Sequence, residues 1–258
     1  MQKYRSDLTD SQWKLIKSHI PHEKDGGRSR TTDVREVVNA LLYMNKTGCQ
    51  WNMLPHDFPP KSTVHDYFQQ WRDDGTLDEI ARVLREKIRI KKHRNAKPSA
   101  SVIDSQTVKI TAACEQVGYD GNKKIKGRKR HIAVDVLGLI LCVVVGSAGI
   151  SDRAGAKLLT TKLFSIFSTI KIIWADGGYS GNPLMQWIKK LANCVLEIVK
   201  RPRKKFQIVK WRWIVERTFG WLNHYRRLSK DYEYYNSSSE AWITLASINI
   251  MVHRIKSG

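Results

Sequence analysis

The hydrophobic period of this chain changes near residue 100, and that change limits what it can fold into. Before it, apolar side chains recur at three- and four-residue steps, as a helix with one buried face requires. After it they alternate, as a half-buried strand requires. In the first part, Thr9-Asp10-Ser11-Gln12 is a capping box with Leu8 and Trp13 placed as its hydrophobic staple, and this helix should end before Pro21. After the Gly26-Gly27 break, Thr31 or Thr32 opens a second helix with Val34, Val37, Val38, Leu41 and Leu42 on one face. A turn at Gly48 and a proline-bearing loop follow, and Ser62 caps a third helix. Its inner side carries Val64, Tyr67, Phe68 and Trp71; its outer side carries Lys61, Thr63, His65, Gln69, Gln70 and Arg72. Three short helices with a polar third resemble a helix-turn-helix, in which Gln69 and Gln70 are candidates for adenine contacts. A helical domain that only packs on a partner has the same pattern. A fourth helix, Leu77 to Ile88, runs into the basic segment Arg89 to Lys97.

From Ala100 onward the elements follow as a strand (Ser101–Ile110), a hairpin (His131–Val136 and Leu139–Val145, turned at Leu137-Gly138) and a helix (Asp152–Phe167). A short strand (Lys171–Ala175), a helix (Pro183–Ala192), a strand (Val195–Val199) and a long helix (Trp211–Leu228) complete the series. This succession is the RNase H-like arrangement, a mixed sheet flanked by helices. The expected class is therefore α+β: a small all-α helix-turn-helix-like domain over 1–90, a basic linker over 91–99, and an RNase H-like mixed-sheet domain over 100–258.

Three acids stand out against that frame. Asp is disfavoured within strands because it competes for backbone hydrogen bonds and resists burial, yet Asp104 sits in the middle of SVIDSQTV. Asp176 ends the apolar run IKIIWA and precedes Gly177-Gly178, where a backbone can approach a substrate closely. On the last helix, Arg212, Glu216, Gly220, Asn223 and Arg227 share one face, and Gly220 leaves clearance beside the acid. Ile214, Thr218, Trp221, Leu222, Tyr225 and Leu228 form the opposite, packing face. Three carboxylates suit hard cations such as Mg²⁺ or Mn²⁺, and two such ions support in-line phosphoryl transfer. Asp135, near the hairpin turn, and Asp152, beside the helix cap Ser151, rank below these three.

The net charge of +21 over 258 residues favours a polyanionic partner through counterion release. No apolar run approaches the ~20 residues that span a bilayer, so no membrane partner is expected. The N-terminal MQKYRSDLTDSQW has no export signal. Cys49, Cys114, Cys142 and Cys194 are scattered, without a C-x-x-C pair, which fits reduced thiols and a cytoplasmic, nucleoid-associated protein.

The long blocks LTDSQW, GGRSRTTDVREVVNALLYMNKTGCQWNMLP, STVHDYFQQW, VIDSQTVK, GYDGNKKIKGRKRHIAVDVLG, ADGGYSG and RWIVERTFGWLNHYRRLSKDYE together resemble bacterial insertion-sequence transposases of the DDE type, in the insertion-sequence-five family. The resemblance implies that Asp104, Asp176 and Glu216 are the catalytic, metal-binding acids, with two Mg²⁺ or Mn²⁺ ions. It further implies cleavage at terminal inverted repeats, attack of freed 3′-hydroxyls on target DNA, and a homodimer acting on paired double-stranded ends. The related Y-x2-R-x3-E-x6-K signature keeps Arg212 and Glu216 but has Val209 at the Tyr position and Asn223 at the Lys position. Candidate DNA contacts are Lys61, Thr63, Gln69, Gln70 and Arg72 on the third helix, and Arg212, Arg226, Arg227 and Lys230 near the last acid. A basic loop adds Lys123, Lys124, Lys126, Arg128, Lys129 and Arg130. Trp211, Trp213 and Trp221 are candidates for stacking on a flipped base, with core packing as the plainer role.

A tyrosine recombinase is a poor fit: Tyr232, Tyr234 and Tyr235 lie too close to the H-x-x-R of His224 and Arg227, and Asp104 and Asp176 stay unexplained. The alternative of another class is a domesticated, non-catalytic DNA-binding protein that retains the transposase fold.

Overall fold

The computed structural model describes residues 4–23, 30–111, 113–199 and 210–256. The Gly26-Gly27 break and Val209 lie outside the described residues. By compactness the chain forms two units, one of residues 1–94, 224–229 and 241–258, the other of residues 95–223 and 230–240.

The first unit is helical: α1 (Asp10–Ile16), α2 (Val34–Thr47), α3 (Lys61–Asp73), α4 (Thr76–Lys91) and residues 241–256 of α8 (Asn236–Lys256). The capping box forms as expected, Thr9 Oγ1 accepting from Gln12 N–H and Gln12 Oε1 from Thr9 N–H. α2 is capped by Asp33 rather than Thr31 or Thr32, its carboxylate accepting from Arg35 N–H at 2.8 Å. α3 begins behind Pro60, so Ser62 lies inside the first turn and is not the cap. Val64, Phe68 and Trp71 are buried as expected, and Tyr67 is partly exposed.

The α2–α3 connection takes thirteen residues (48–60). A helix-turn-helix uses a turn of about three to four. The tight turn here, Asp74-Gly75, joins α3 to α4.

Sequence patterning missed α8, which is apolar around most of its circumference because it is buried on several sides. Trp242 stacks on Phe68 at 4.6 Å, and its carbonyl accepts from Asn45 Nδ2 at 3.0 Å. These contacts group residues 241–258 with the N-terminal helices, whereas the period along the chain assigns everything from 100 to 258 to one domain.

The second unit is built on a six-stranded mixed sheet: β1 (Ala100–Lys109), β2 (Gly118–Asp120), β3 (Ile125–Val134), β4 (Ile140–Ser147), β5 (Ile172–Ala175) and β6 (Val195–Ile198). β3 runs antiparallel to β1 on one edge, with β4 and β2 on its other edge. Parallel pairing of β5 to β1 and of β6 to β5 extends the sheet. α5 (Asp152–Ile166), α6 (Asn182–Ala192) and α7 (Lys210–Leu222) complete it, giving the RNase H-like α+β architecture. Beneath α5 and α6 the core joins Ile103, Ala133, Leu159, Leu163, Ile173, Leu184 and Ile188. α5 comes close to β3 because Gly155 has no side chain; a Cβ there would lie 2.1 Å from the buried His131 ring.

The basic loop expected over Lys123 to Arg130 is a turn followed by strand from Ile125. Arg128, Lys129 and Arg130 are buried. Arg128 donates to the Gln116, Glu233 and Tyr234 carbonyls and faces Asp231 at 3.4 Å. Lys129 donates to the Ile150 carbonyl (2.9 Å) and Asp152 (3.3 Å), and Arg130 to the Lys230 carbonyl (3.2 Å). Burial pulls the Arg130 guanidinium down to about 10. A cation withdrawn from water this far holds the fold and cannot reach a phosphate backbone, so these three positions are structural. Lys123, Lys124 and Lys126 are exposed.

Candidate active site

Sheet register places the first two acids. Ala100, Ser101 and Val102 of β1 pair with Ile172, Ile173 and Trp174 of β5. Two residues further along each strand stand Asp104 and Asp176, on the same face and at the same level, just where the pairing stops. Carboxyl ends of adjacent parallel strands are the usual ligand crevice of such sheets. Both acids and Arg212 line one small cavity with Val102, Ile103, Trp174, Ala175, Val199 and Val215.

Asp104 accepts from its neighbour Ser105 N–H at 2.7 Å. Burial, opposed by that hydrogen bond and reinforced by the charge of Asp176, raises its carboxyl to about 6. Asp176 caps a 3-10 turn (Gly177–Tyr179) by accepting from Gly178 N–H at 2.9 Å. Gly178 keeps this turn close to both carboxylates: a Cβ there would sit 3.1 Å from Asp176 Oδ1, pressing it by a few tenths of an ångström, and 3.4 Å from Asp152 Oδ2.

α7 supplies the third acid. Trp211 stacks face to face on Trp174 of β5, with centroids 4.0 Å apart and planes within 5°, pinning the start of the helix to the sheet. The next residue, Arg212, has its guanidinium 3.3 Å from Glu216, one turn further along, and 3.8 Å from Asp176. Arg212, expected as a DNA contact, thus bridges two of the three acids. Trp213 and Trp221 are engaged by Arg217, whose guanidinium lies 4.2 and 4.6 Å from their ring centroids, and Trp213 is 43% exposed.

α7 ends at Leu222 rather than Leu228. Asn223 closes the last helical hydrogen bond, Tyr225 is extended, and Arg226–Leu228 form a separate 3-10 turn. Asn at this point stops the helix by favouring non-helical backbone. The polar strip therefore runs Arg212, Glu216, Gly220, Asn223 and excludes Arg227. Arg227 is buried in the first unit, donating to the Cys49 carbonyl at 3.1 Å and lying 4.4 Å from the Trp242 ring, so it too is structural. Arg226 and Lys230 are exposed. Asn223 accepts a hydrogen bond from Gln106 Nε2 at 3.4 Å. On α3, Lys61 and Gln70 are exposed and Thr63 and Gln69 half-buried, while Arg72 is held by Asp73.

Gly220 faces open space, with nothing within 4 Å of where its Cβ would be. Gly220→Ala is therefore expected to stabilise the helix by about 0.5–1 kcal/mol, as Ala does at an unhindered helical site. If DNA passes over this strip, the same variant loses cleavage. Thermal unfolding and a cleavage assay read the two effects, and unchanged cleavage would take Gly220 out of the DNA path.

The acids ranked lower are now distinct. Asp135 is fully buried and accepts from the Leu137 and Leu139 N–H groups at 2.9 Å each, which fixes the β3–β4 turn. Asp152 accepts from Ser105 Oγ (2.9 Å) and Lys129 Nζ (3.3 Å), beside Asp176 across Gly178. Sequence spacing gave no sign of this link between Asp152 and the Asp104–Ser105 strand, because a β-hairpin and the α5 start supply it.

Among the described residues, no group of three His, Cys, Asp or Glu side chains is gathered tightly enough to hold a metal ion. The donor chemistry nevertheless suits a hard cation. The candidate donor atoms are all carboxylate oxygens, the charge of Asp176 raises the Asp104 carboxyl, and one guanidinium lies within 4 Å of both Asp176 and Glu216. Among the described residues no helix is long and apolar enough to cross a membrane.

Comparison with known families agrees with this architecture. Residues 95–250 match the model described as "Transposase DDE domain", and residues 8–81 match "Putative transposase of IS4/5 family". The chain belongs to the insertion-sequence transposases with a DDE domain. Among individual relatives, it is 26% identical over 121 residues to the "Putative transposase for insertion sequence element IS402" of Burkholderia cepacia, covering 42% of this chain and 54% of that one. It is also 34% identical over 77 residues to the "Uncharacterized protein y4sN" of Sinorhizobium fredii, covering 30% of this chain and 62% of that one. The matched stretches thus span only about half to three-fifths of these relatives' lengths.

Proposed function

We propose that this chain cuts double-stranded DNA at the inverted ends of its own element and joins the freed 3′-hydroxyls to target DNA. The observation that carries this reading is the register of Asp104 and Asp176, level with each other just past the point where the parallel pairing of β1 and β5 stops, with Glu216 linked to Asp176 through Arg212. Asp104, Asp176 and Glu216 are the residues that would hold two Mg²⁺ or Mn²⁺ ions, and such ions activate the attacking oxygen and stabilise the leaving one in phosphoryl transfer. The protein's own contribution is positional. Two strands fix the aspartates, the Trp174–Trp211 stack fixes the helix that carries the glutamate, and Arg212 stands between Asp176 and Glu216.

The helical region over residues 1–90 is assigned to end recognition, with Lys61, Thr63, Gln69 and Gln70 on the outer side of α3 facing base edges and phosphates. A homodimer acting on paired ends completes the proposal.

The test uses purified full-length protein and duplexes taken from the DNA that borders its reading frame. Cleavage is expected with Mg²⁺ or Mn²⁺ and is expected to stop in excess chelator. Metal-independent cutting, or equal cutting of unrelated duplexes, would overturn the reading.

A further inference from the structure

The far end of β1 and the start of β3 form a groove lined by Lys109, Ile110, Thr111, Lys124, Ile125 and Lys126. Its three lysines are exposed. The acids on the segments paired to these strands are turned to other work. Asp120 accepts from Thr107 Oγ1 and from the N–H groups of Asn122 and Lys123, and Asp231 accepts from Ser239 Oγ and faces Arg128. Lys124 is held at φ +54, a backbone conformation costly for a residue with a side chain, by that Asp120-centred turn. An exposed tyrosine adjoins each side. Tyr119 pairs with Lys126 across β2–β3 and is 58% exposed, while Tyr232, 43% exposed, follows Asp231, which bridges to Ile110.

Register connects this groove to the acids. Asp104, Gln106 and Val108 pair with Ile132, Arg130 and Arg128, so alternation carries Ile110 and Lys126 onto the same sheet face as Asp104. Lys109, paired with Gly127, takes the other face, and Lys124 lies in the turn just before β3. Six residues of strand at ~3.3 Å each separate Asp104 from Ile110, roughly 20 Å. A DNA strand rises ~3.4 Å per nucleotide, so the same span is about six nucleotides.

We infer that this groove seats the phosphate backbone of bound DNA about six nucleotides from the phosphate held at the acids, with Tyr119 and Tyr232 against the neighbouring sugars or bases. Lysines position a backbone without reading its sequence, and an aromatic ring adds a sequence-tolerant contact. This inference rests on the DNA-cutting reading and adds a defined path for the strand.

The experiment compares full-length wild type with the Lys109→Ala/Lys124→Ala/Lys126→Ala variant on duplexes bordering the reading frame, shortened stepwise on either side of the cut. Because the lysines are exposed, thermal unfolding of the variant should match wild type. Wild type is expected to lose affinity when the duplex ends within about five nucleotides of the cut on one side. The variant should bind long duplexes more weakly, with a slope of log affinity against log salt lower by about two to three phosphate contacts. It should also ignore the shortening. An unchanged salt slope together with unchanged length dependence would overturn the groove even if wild type cuts normally. Failure of wild type to cut with metal overturns the enzymatic reading instead, and the binding comparison still decides the groove.

Discussion

Asp104→Asn is expected to lower DNA cleavage by at least about 10³-fold while making the folded protein more stable at neutral pH. The loss follows from removing a charged oxygen at the reacting centre, where one missing group commonly costs about 10²–10³ and a shared ligand more. The gain follows from linkage. Burial and Asp176 raise the folded carboxyl to about 6 from its ordinary 3.8. An acid raised on folding binds its proton more tightly in the native state, so its contribution to stability is full below about pH 4 and is lost as pH rises through 6. At pH 7 the ionised group is a liability of about 1–3 kcal/mol, which the neutral amide removes. Thermal unfolding across pH 4 to 8 should show wild type and variant converging near pH 4, separating between about pH 4 and 6, and keeping a constant gap above that. A variant that cuts DNA normally, or is less stable at pH 7, would remove Asp104 from the assigned role. Glu216→Gln should share the loss of cleavage.

The second large effect concerns stability. Asp231→Ala is expected to destabilise the protein by about 3–5 kcal/mol, because it strands the Arg128 guanidinium at 0% exposure. A shift of roughly 10 °C in thermal midpoint is then expected for a unit of this size. Arg128 retains three carbonyl partners, but these dipoles do not offset a full charge. Replacing both partners, as Arg128→Met with Asp231→Leu, should recover much of the loss. If Arg128 were a backbone contact, as its place in KKIKGRKR suggests, Arg128→Ala would weaken DNA binding and leave unfolding unchanged. The unfolding midpoints of the single and double variants separate the two accounts.

That contrast shows where the sequence is informative. A run of Lys and Arg announces charge, but its exposure depends on what packs over it. Alternation on a strand reads the same whether the outer face meets water or the segment around Asp231. Helix ends were similarly ambiguous. The apolar pattern of Trp211 to Leu228 continues past the point where Asn223 and Tyr225 break the hydrogen-bond ladder, so Arg227 was placed on the acid strip instead of against Trp242. α8 escaped because a helix buried on most sides lacks the one-sided period that reveals amphipathic helices.

The sequence by itself determined the change from helical to alternating period near Ala100, the order of strands and helices after it, and the conspicuous acids Asp104, Asp176 and Glu216. Local preferences and burial periods are written residue by residue, so these survive without a fold. Only the tertiary structure decided that Asp104 and Asp176 stand level on neighbouring strands, that Arg212 bridges Asp176 and Glu216, and that Arg128, Lys129, Arg130 and Arg227 serve the interior. Those facts depend on which strands pair and in what register, and pairing joins residues some seventy positions apart that no local pattern connects.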